Sequence, residues 1–168
     1  MASGSVDGFI LCVSEETQIK NEIEHFKKTM LLEKRKNIVF ISNIDDLSVG
    51  KLRERGYNKA ILENGGQEPL VLRIMKKDDH QKKIKSFVKK NKSIDGVVAA
   101  DSASGIIAIN SAVNLGKKVP KHMSVIGFAS KSDSNHTLPR LTTIRQHAKV
   151  IGVNAAQLLI NRLQNMHL

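Results

Sequence analysis

The sequence predicts an α/β fold, a three-layer αβα arrangement around a mostly parallel sheet. Three observations predict it. Short apolar runs recur along the chain, among them Phe9 to Val13, Asn37 to Ile41 and Ile94 to Ala99. Amphipathic stretches with apolar residues three and four apart separate those runs, which is helical spacing. The runs are continuous rather than alternating, as expected of strands buried on both faces. Strands alternating with helices lie parallel, with the helices packed on the two faces of the sheet.

Each element has its own justification. Phe9 to Val13 reads as a buried strand. Thr17 to about Arg35 reads as a helix with Ile19, Ile23, Phe26 and Met30 on one stripe. Asn37 to Ile41 is the second strand. Ser48 stands where a helix cap is expected, for a helix running to about Glu63 and stopped by Asn64-Gly65-Gly66. Leu70 to Leu72 is the third strand. Asp78 or Asp79 caps the next helix, whose Ile84, Phe87 and Val88 are flanked by lysines. Ile94 to Ala99 is the fourth strand. Asp101 or Ser102 caps a helix through Ile106, Ile107, Ala112 and Val113 that ends at Gly116. Ser124 to Gly127 is the fifth strand, Ala129 to Arg140 a loop, and Leu141 to Ile144 a short sixth strand. A last helix runs from Ala148 to about Gln164, with Val150, Ile151, Ala155, Leu158, Leu159 and Leu163 available for its buried face. Ligands of such sheets sit at the carboxyl ends of the strands. That selects the loops 42–48, 73–79, 100–104 and 129–139.

Composition narrows the function classes. The chain has 168 residues, enough for one domain or two small lobes, and 40% of them are hydrophobic, so it carries a real core. No apolar run approaches the ~20 residues of a membrane-spanning helix. The lone cysteine, Cys12, cannot form an internal disulfide, which fits a cytoplasmic protein. Lys plus Arg is 27 against 16 for Asp plus Glu, a formal net charge of +11. Eight lysines lie between Lys76 and Lys92. They coat the outer face of the amphipathic helix there, either as a solvated face or as a surface for nucleic acid or another polyanion. With no Trp and one Tyr, Tyr57, the chain lacks the stacking residues of a single-strand binder. Met1 to Ser5 reads as a cloning leader outside the fold, not a signal peptide, since no basic n-region or apolar h-region follows it.

Chemistry-bearing motifs are sparse. Neither a Gly-x-Gly-x-x-Gly turn nor a Gly-Lys-Ser/Thr loop is present, so a nucleotide phosphate cradle and a bound cofactor are not expected. His25, His80, His122, His136, His147 and His167 are scattered, with no i, i+4 pair to hold a metal. Cys12 inside an apolar strand reads as an inert thiol. Asp45-Asp46 and Asp78-Asp79 follow strands, where a carboxylate pair suits a phosphoacceptor or magnesium site. Both doublets also precede helices, where capping is the plainer role. No nucleophile, base and orienting residue converge, so no catalytic residue is assigned.

The second half of the chain carries a resemblance. Ile94 to Asp101 (Ile-Asp-Gly-Val-Val-Ala-Ala-Asp) is followed by Val119 to Phe128 (Val-Pro-Lys-His-Met-Ser-Val-Ile-Gly-Phe). Leu138 to Gln146 (Leu-Pro-Arg-Leu-Thr-Thr-Ile-Arg-Gln) comes next, then a helix with Ile151-Gly152 and Ala155 to Leu159. This succession resembles the effector-binding domain of LacI/GalR-type transcriptional regulators. Lys36 to Ser42 with Ser48, Arg53 and Gly56-Tyr57 resembles the start of that family's second lobe, and Val6 to Leu11 a strand late in its first lobe. The likeness runs over nearly all of residues 6 to 166.

The resemblance implies a type I periplasmic-binding-protein-like fold, mainly the second lobe. Residues 1–5 would be the leader, 6–30 a remnant of the first lobe, 31–146 the second lobe and 147–168 a helix of the first lobe. It implies a non-enzymatic sensor that binds a small sugar-like effector in an interlobe cleft. Such a sensor acts as a homodimer and reaches DNA through a headpiece that this chain lacks. Arg53, Asp101, Ser48 and Ala129 fall at the ligand-binding positions. Arg53 matches the family's helix arginine. Asp101 keeps the Asp of an Asn-Asp pair whose first member is here Ala100. Ala129 stands where the family has an Asp after Gly-Phe. With two polar anchors replaced by alanine, simple sugars are expected to bind weakly or not at all. A flavodoxin- or receiver-like signalling domain using the Asp doublets, or a secreted sugar-binding protein, are the alternatives.

Overall fold

The computed structural model describes residues 35–64, 68–130, 132–145 and 148–165. Several sequence expectations lie outside these: the leader, the strand at Phe9, Cys12, most of the helix from Thr17, the first-lobe remnant, Gly65-Gly66, and His25, His147 and His167. Five strands are described: β1 (Ile38–Ser42), β2 (Leu70–Arg73), β3 (Gly96–Ala99), β4 (Ser124–Phe128) and β5 (Thr142–Ile144). They form one sheet in the order β2-β1-β3-β4-β5, and every pairing is parallel. The helices are α1 (Ser48–Glu63), α2 (His80–Lys90), α3 (Ser102–Asn114) and α4 (Ala148–Asn165).

Side chains alternate across the pleat, so a continuous apolar strand feeds two cores. On one face Val39, Ile41, Val97 and Val125 pack with Ile84 and Val88 of α2 and Ala108, Ile109 and Ala112 of α3. On the other, Phe40, Val98, Ile126 and Ile144 pack with Tyr57 and Ala60 of α1. The result is the expected αβα sandwich. Phe40 stacks on Tyr57 with ring centroids 5.3 Å apart. Burying a large apolar side chain stabilises by roughly 1.5–3 kcal/mol, so these two layers hold the carboxyl ends of the strands in place.

Local chemistry sets the element ends. Asp79 caps α2 by accepting the backbone N–H of Lys82, and Asp101 caps α3 by accepting that of Ser104. Gly116 takes φ +77° beyond α3, a left-handed turn that a side chain would resist. Ser48 does not cap α1. Leu47 holds that position in an extended conformation with no side-chain hydrogen bond. A backbone turn does the work instead, with Leu47 N–H donating to Ile44 O. Gly50 sits so near this turn that a Cβ would fall 2.1 Å from Ile44 O. Asp45 and Asp46 do not cap α1 either. They pair with Arg73 and Lys76.

Two further expectations change. Arg35 and Lys36 lie outside any helix. Arg35 reaches Pro120 O, Lys121 O and Ser124 Oγ, while the Lys36 N–H meets the Asp95 carboxylate. These long-range bonds replace helical ones. In the expected loop 129–140, Asp133–His136 forms a 3-10 turn.

The chain divides into two compact units, the larger holding the whole sheet with α1 to α3, the smaller holding α4. On α4, Ile151, Ala155, Leu159 and Leu163 are half-buried, but Val150 and Leu158 are 56% and 70% exposed. Steps of four residues keep the first set on one stripe. Val150 and Leu158 each sit one residue, about 100°, off it. No helix among the described residues is long and apolar enough to cross a membrane.

Candidate functional site

The strand order reverses between β1 and β3, which both start from the middle of the sheet and lead to opposite sides. A crevice forms at the carboxyl ends of strands on either side of such a reversal. The residues there are Ser42 and Asn43 after β1, Ala100 and Asp101 after β3, and Phe128 and Ala129 at the end of β4.

Arg53 ties these ends together. It projects from the second turn of α1 and is buried, with 9% exposure. Its Nη1 donates to Ala100 O at 2.6 Å. Its guanidinium carbon lies 4.0 Å from the centre of the Phe128 ring, a cation–π stack. One side chain therefore spans the end of β3 and the end of β4. A planar guanidinium oriented by Ala100 O and the Phe128 ring is a donor group suited to hydroxyls or a carboxylate.

Asp101 divides its carboxylate between two environments. Oδ1 caps α3 through the Ser104 N–H at 2.9 Å. Oδ2 is buried and has no hydrogen-bond partner. The same holds for Asn43 Oδ1, Asp45 Oδ1, Ser104 Oγ and, on the loop after β4, Thr137 Oγ1. Buried polar atoms are almost always paired. Five such oxygens near the carboxyl ends of the strands are unusual, and they are acceptors or hydroxyls that suit a hydroxyl-rich molecule.

The other expected residues fare differently. Ala129 follows β4, its N–H donates to Ile144 O at 3.3 Å, and its methyl packs against the core. It offers no polar group where the resemblance implies a carboxylate. Ser48 is exposed at the first turn of α1. Asp45 is engaged with Arg73, which also forks onto Glu54. The Glu54 hydrogen bonds hold the Arg73 guanidinium above its ordinary pKa. Asp78 accepts the Met75 N–H and the Lys83 ammonium, which lowers its pKa. Neither doublet presents a free carboxylate pair. Among the described residues no group of three or more His, Cys, Asp or Glu is placed to hold a metal ion. The loop after β4 closes on itself, with Asp133 accepting from Ser130 N–H and Oγ, and these bonds lower the Asp133 pKa.

Residues 29–167 match the model of a periplasmic binding protein-like domain. The chain belongs to that family. MalR of Clostridium butyricum, an HTH-type transcriptional regulator, is 26% identical over 148 residues, covering 85% of this chain and 44% of its own length. RegA of Clostridium saccharobutylicum, another HTH-type regulator, is 32% identical over 137 residues, covering 79% and 41%. This chain thus spans less than half the length of either curated relative. Among solved structures, the transcriptional regulator CelR in complex with cellobiose aligns with a TM-score of 0.73 and 23% identity, over 83% of this chain and 44% of that one. A PurR-family regulator from Vibrio parahaemolyticus gives 0.76 and 18%, over 87% and 55%. At such identities the structural likeness speaks for the fold.

The resemblance to LacI/GalR-type effector domains read from the sequence is therefore borne out, and so is the periplasmic-binding-protein-like fold. The strand order of the sheet is shared with flavodoxin-type folds, so topology alone would not have separated the two readings. The relatives are transcriptional regulators rather than enzymes. Phe128 was missed as a site residue. Its signal was the aromatic at the end of a strand beside the position now held by Ala129. Asn43 and Thr137 lie in the loops 42–48 and 129–139 that the sequence selects, though neither residue is singled out within them.

Proposed function

We propose that this chain is the effector-sensing part of a LacI/GalR-type transcriptional regulator. A small sugar-like molecule would rest on the carboxyl edge of the sheet, oriented by Arg53 and Asp101, with Ser48 and Ala129 at the rim. The observation that carries this reading is Arg53, buried and aimed across the ends of β3 and β4 by Ala100 O and Phe128. The unpartnered Asp101 Oδ2 beside it supports the same reading. The domain carries out no chemical step. Its output is a shift between conformations that ligand binds unequally. The regulator works in the cytoplasm as a homodimer and reads DNA through a headpiece.

Calorimetry against pentoses, hexoses, disaccharides and purines tests the reading. The expected result is one hydroxyl-rich ligand with a Kd above ~1 μM, weaker than about −8 kcal/mol, because Ala100 and Ala129 bring no polar side chain. Arg53→Ala should abolish that binding, and Ala129→Asp should change which ligand is preferred. Binding that survives Arg53→Ala unchanged, or none at millimolar ligand, would overturn the assignment.

A further inference from the structure

We propose that the lysine face of α2, continued by the turn after α3, binds the phosphate backbone of duplex nucleic acid without reading its sequence. This surface is separate from the carboxyl-edge site and does not depend on it.

Helix α2 buries Ile84 and Val88 and half-buries Phe87. Lys82, Lys85 and Lys89 are exposed at steps of three and four, so they form one row on the outer side. Lys92 continues the row past the helix end. Of the helix's lysines, Lys83 has an ion-pair partner, Asp78, and Asp79 is spent on the cap. Lys82, Lys85, Lys89 and Lys92 have no ion pair among the described residues.

Lys89 and Lys90 in the last turn suit the helix dipole, but the start of the row works against the helix. The first turn of α2 contains no acidic residue, and Lys82 lies there, at the positive end of the helix dipole. Like charges at steps of three and four destabilise a helix by a few tenths of a kcal/mol each. A helix face shaped for solubility would interleave glutamates with the lysines. Here Gln81 and Ser86 are the only exposed residues on the helix that are not lysine. An external polyanion relieves the repulsion that the chain leaves uncompensated.

The patch extends beyond the helix. Lys117 Nζ donates to Lys92 O at 3.1 Å and to Ile94 O at 2.8 Å, which fixes the turn after α3 beside the end of α2. Exposed Lys118 and Lys121 follow on that turn. The nearby carboxylate, Asp95, already accepts the backbone N–H groups of Lys36 and Asn37.

The chemistry of the face selects the partner. Lys82 to Lys89 spans about 10 Å of helix, a length of duplex axis carrying on the order of six phosphate charges. Tyr57 is buried and Phe87 half-buried, so among the described residues this face offers no exposed aromatic platform for a single strand. No exposed position of α2 is a large apolar residue, so a protein partner would find no anchor.

The test is fluorescence anisotropy of the 168-residue chain with a labelled duplex of random sequence, between ~50 and ~200 mM salt. The expected result is binding at low salt that weakens about a hundredfold across that range, as for roughly four neutralised phosphates. The triple variant Lys82→Gln/Lys85→Gln/Lys89→Gln should bind at least tenfold more weakly at low salt, and its salt slope should be smaller by roughly 2–3. Glutamine keeps helix propensity, and a thermal melt of each variant verifies folding. The control removes three cations from α1, as Lys51→Gln/Arg55→Gln/Lys59→Gln, and should change binding little. Equal losses in the two triple variants would reduce the effect to net charge and overturn the proposal. So would no binding at ~50 mM salt, where phosphate contacts are strong. Poly-glutamate binding as tightly as the duplex would assign the face to an acidic protein instead.

Discussion

At the amino edge of the sheet, where the strands begin, polar groups are consumed by the fold. Tyr57 Oη lies 2.9 Å from Ile38 O and accepts the Leu70 N–H at 3.1 Å. Asp95 holds two backbone N–H groups, Lys117 holds two carbonyls, and Arg35 holds the turn at Pro120. Among the described residues only Asn58 Oδ1, on the later turns of α1, is buried there without a partner. At the carboxyl edge the pattern reverses, with Asn43, Asp45, Asp101, Ser104 and Thr137 each leaving a buried oxygen unpaired. Leaving a buried polar group unsatisfied costs about 1–3 kcal/mol. The first edge is thus the more fully stabilised, and the unmet oxygens gather at the second, where the ligand site is proposed.

The largest test of this contrast is Arg53→Ala, because Arg53 is the carboxyl-edge residue that both braces the strand ends and is proposed to meet the ligand. It supports β3 through Ala100 O and stacks on Phe128. Loss of a charged hydrogen bond and a buried cation–π contact should lower stability by about 2–4 kcal/mol, read as a fall in the urea midpoint at unchanged m-value. Arg53→Lys should recover only part of this, since an ammonium cannot stack and fork at once. A more stable Arg53→Ala variant would show that the arginine is held at the fold's expense and that the carboxyl edge contributes nothing to stability.

How much of this was readable beforehand differs between the edges for the same reason. The strands were legible because a strand buried on both faces must be apolar throughout, as Ile38 to Ile41 is. The Asp79 and Asp101 caps were legible because a carboxylate before a helix has one obvious use. Ser48 misled, because the Ile44–Leu47 backbone turn closes α1 without any side chain. On α4 the apolar list was right for Ile151 and Leu159 but too generous by Val150 and Leu158. Arg53 follows from the resemblance, whereas Phe128 carries only the weaker signal of an aromatic ending a strand, and its role rests on the ring lying under the guanidinium. The state of Asn43 and Thr137 was beyond the sequence altogether. An oxygen without a partner is a property of what surrounds it in space, and no neighbour in the chain reports it.

At the amino edge, Tyr57→Phe removes a hydroxyl that backbone groups of β1 and β2 use. It should cost about 1–2 kcal/mol, since it strands buried partners. Burial also pushes the Tyr57 pKa up to about 12 from 10.0, against the lowering effect of the Leu70 N–H. A raised folded pKa gives stability that is complete below the unfolded value and lost as pH rises through the folded one. Alkaline unfolding of the parent chain should therefore steepen between pH 10 and pH 12. Tyr57→Phe should remove that component, leaving the shared lysine titration. Identical pH profiles for the two proteins would show that the phenol is not held neutral by the fold.

The smallest effect is the most informative about the other edge. Thr137 is buried, with 6% exposure, and its Oγ1 has no partner. Valine is nearly its isostere and carries no hydroxyl. If the hydroxyl is simply left over, Thr137→Val relieves a desolvation cost and should be neutral or stabilising, within about 1 kcal/mol. That sign is opposite to the one expected for Tyr57→Phe, although each variant deletes one buried hydroxyl. Stability and ligand binding should then separate, because Thr137→Val would weaken a hydroxyl-rich ligand that uses Oγ1 while leaving the urea midpoint in place. A loss of stability equal to that of Tyr57→Phe would mean that Thr137 is bonded in solution, and the contrast between the two edges would narrow to the Asp101 carboxylate and Asn43.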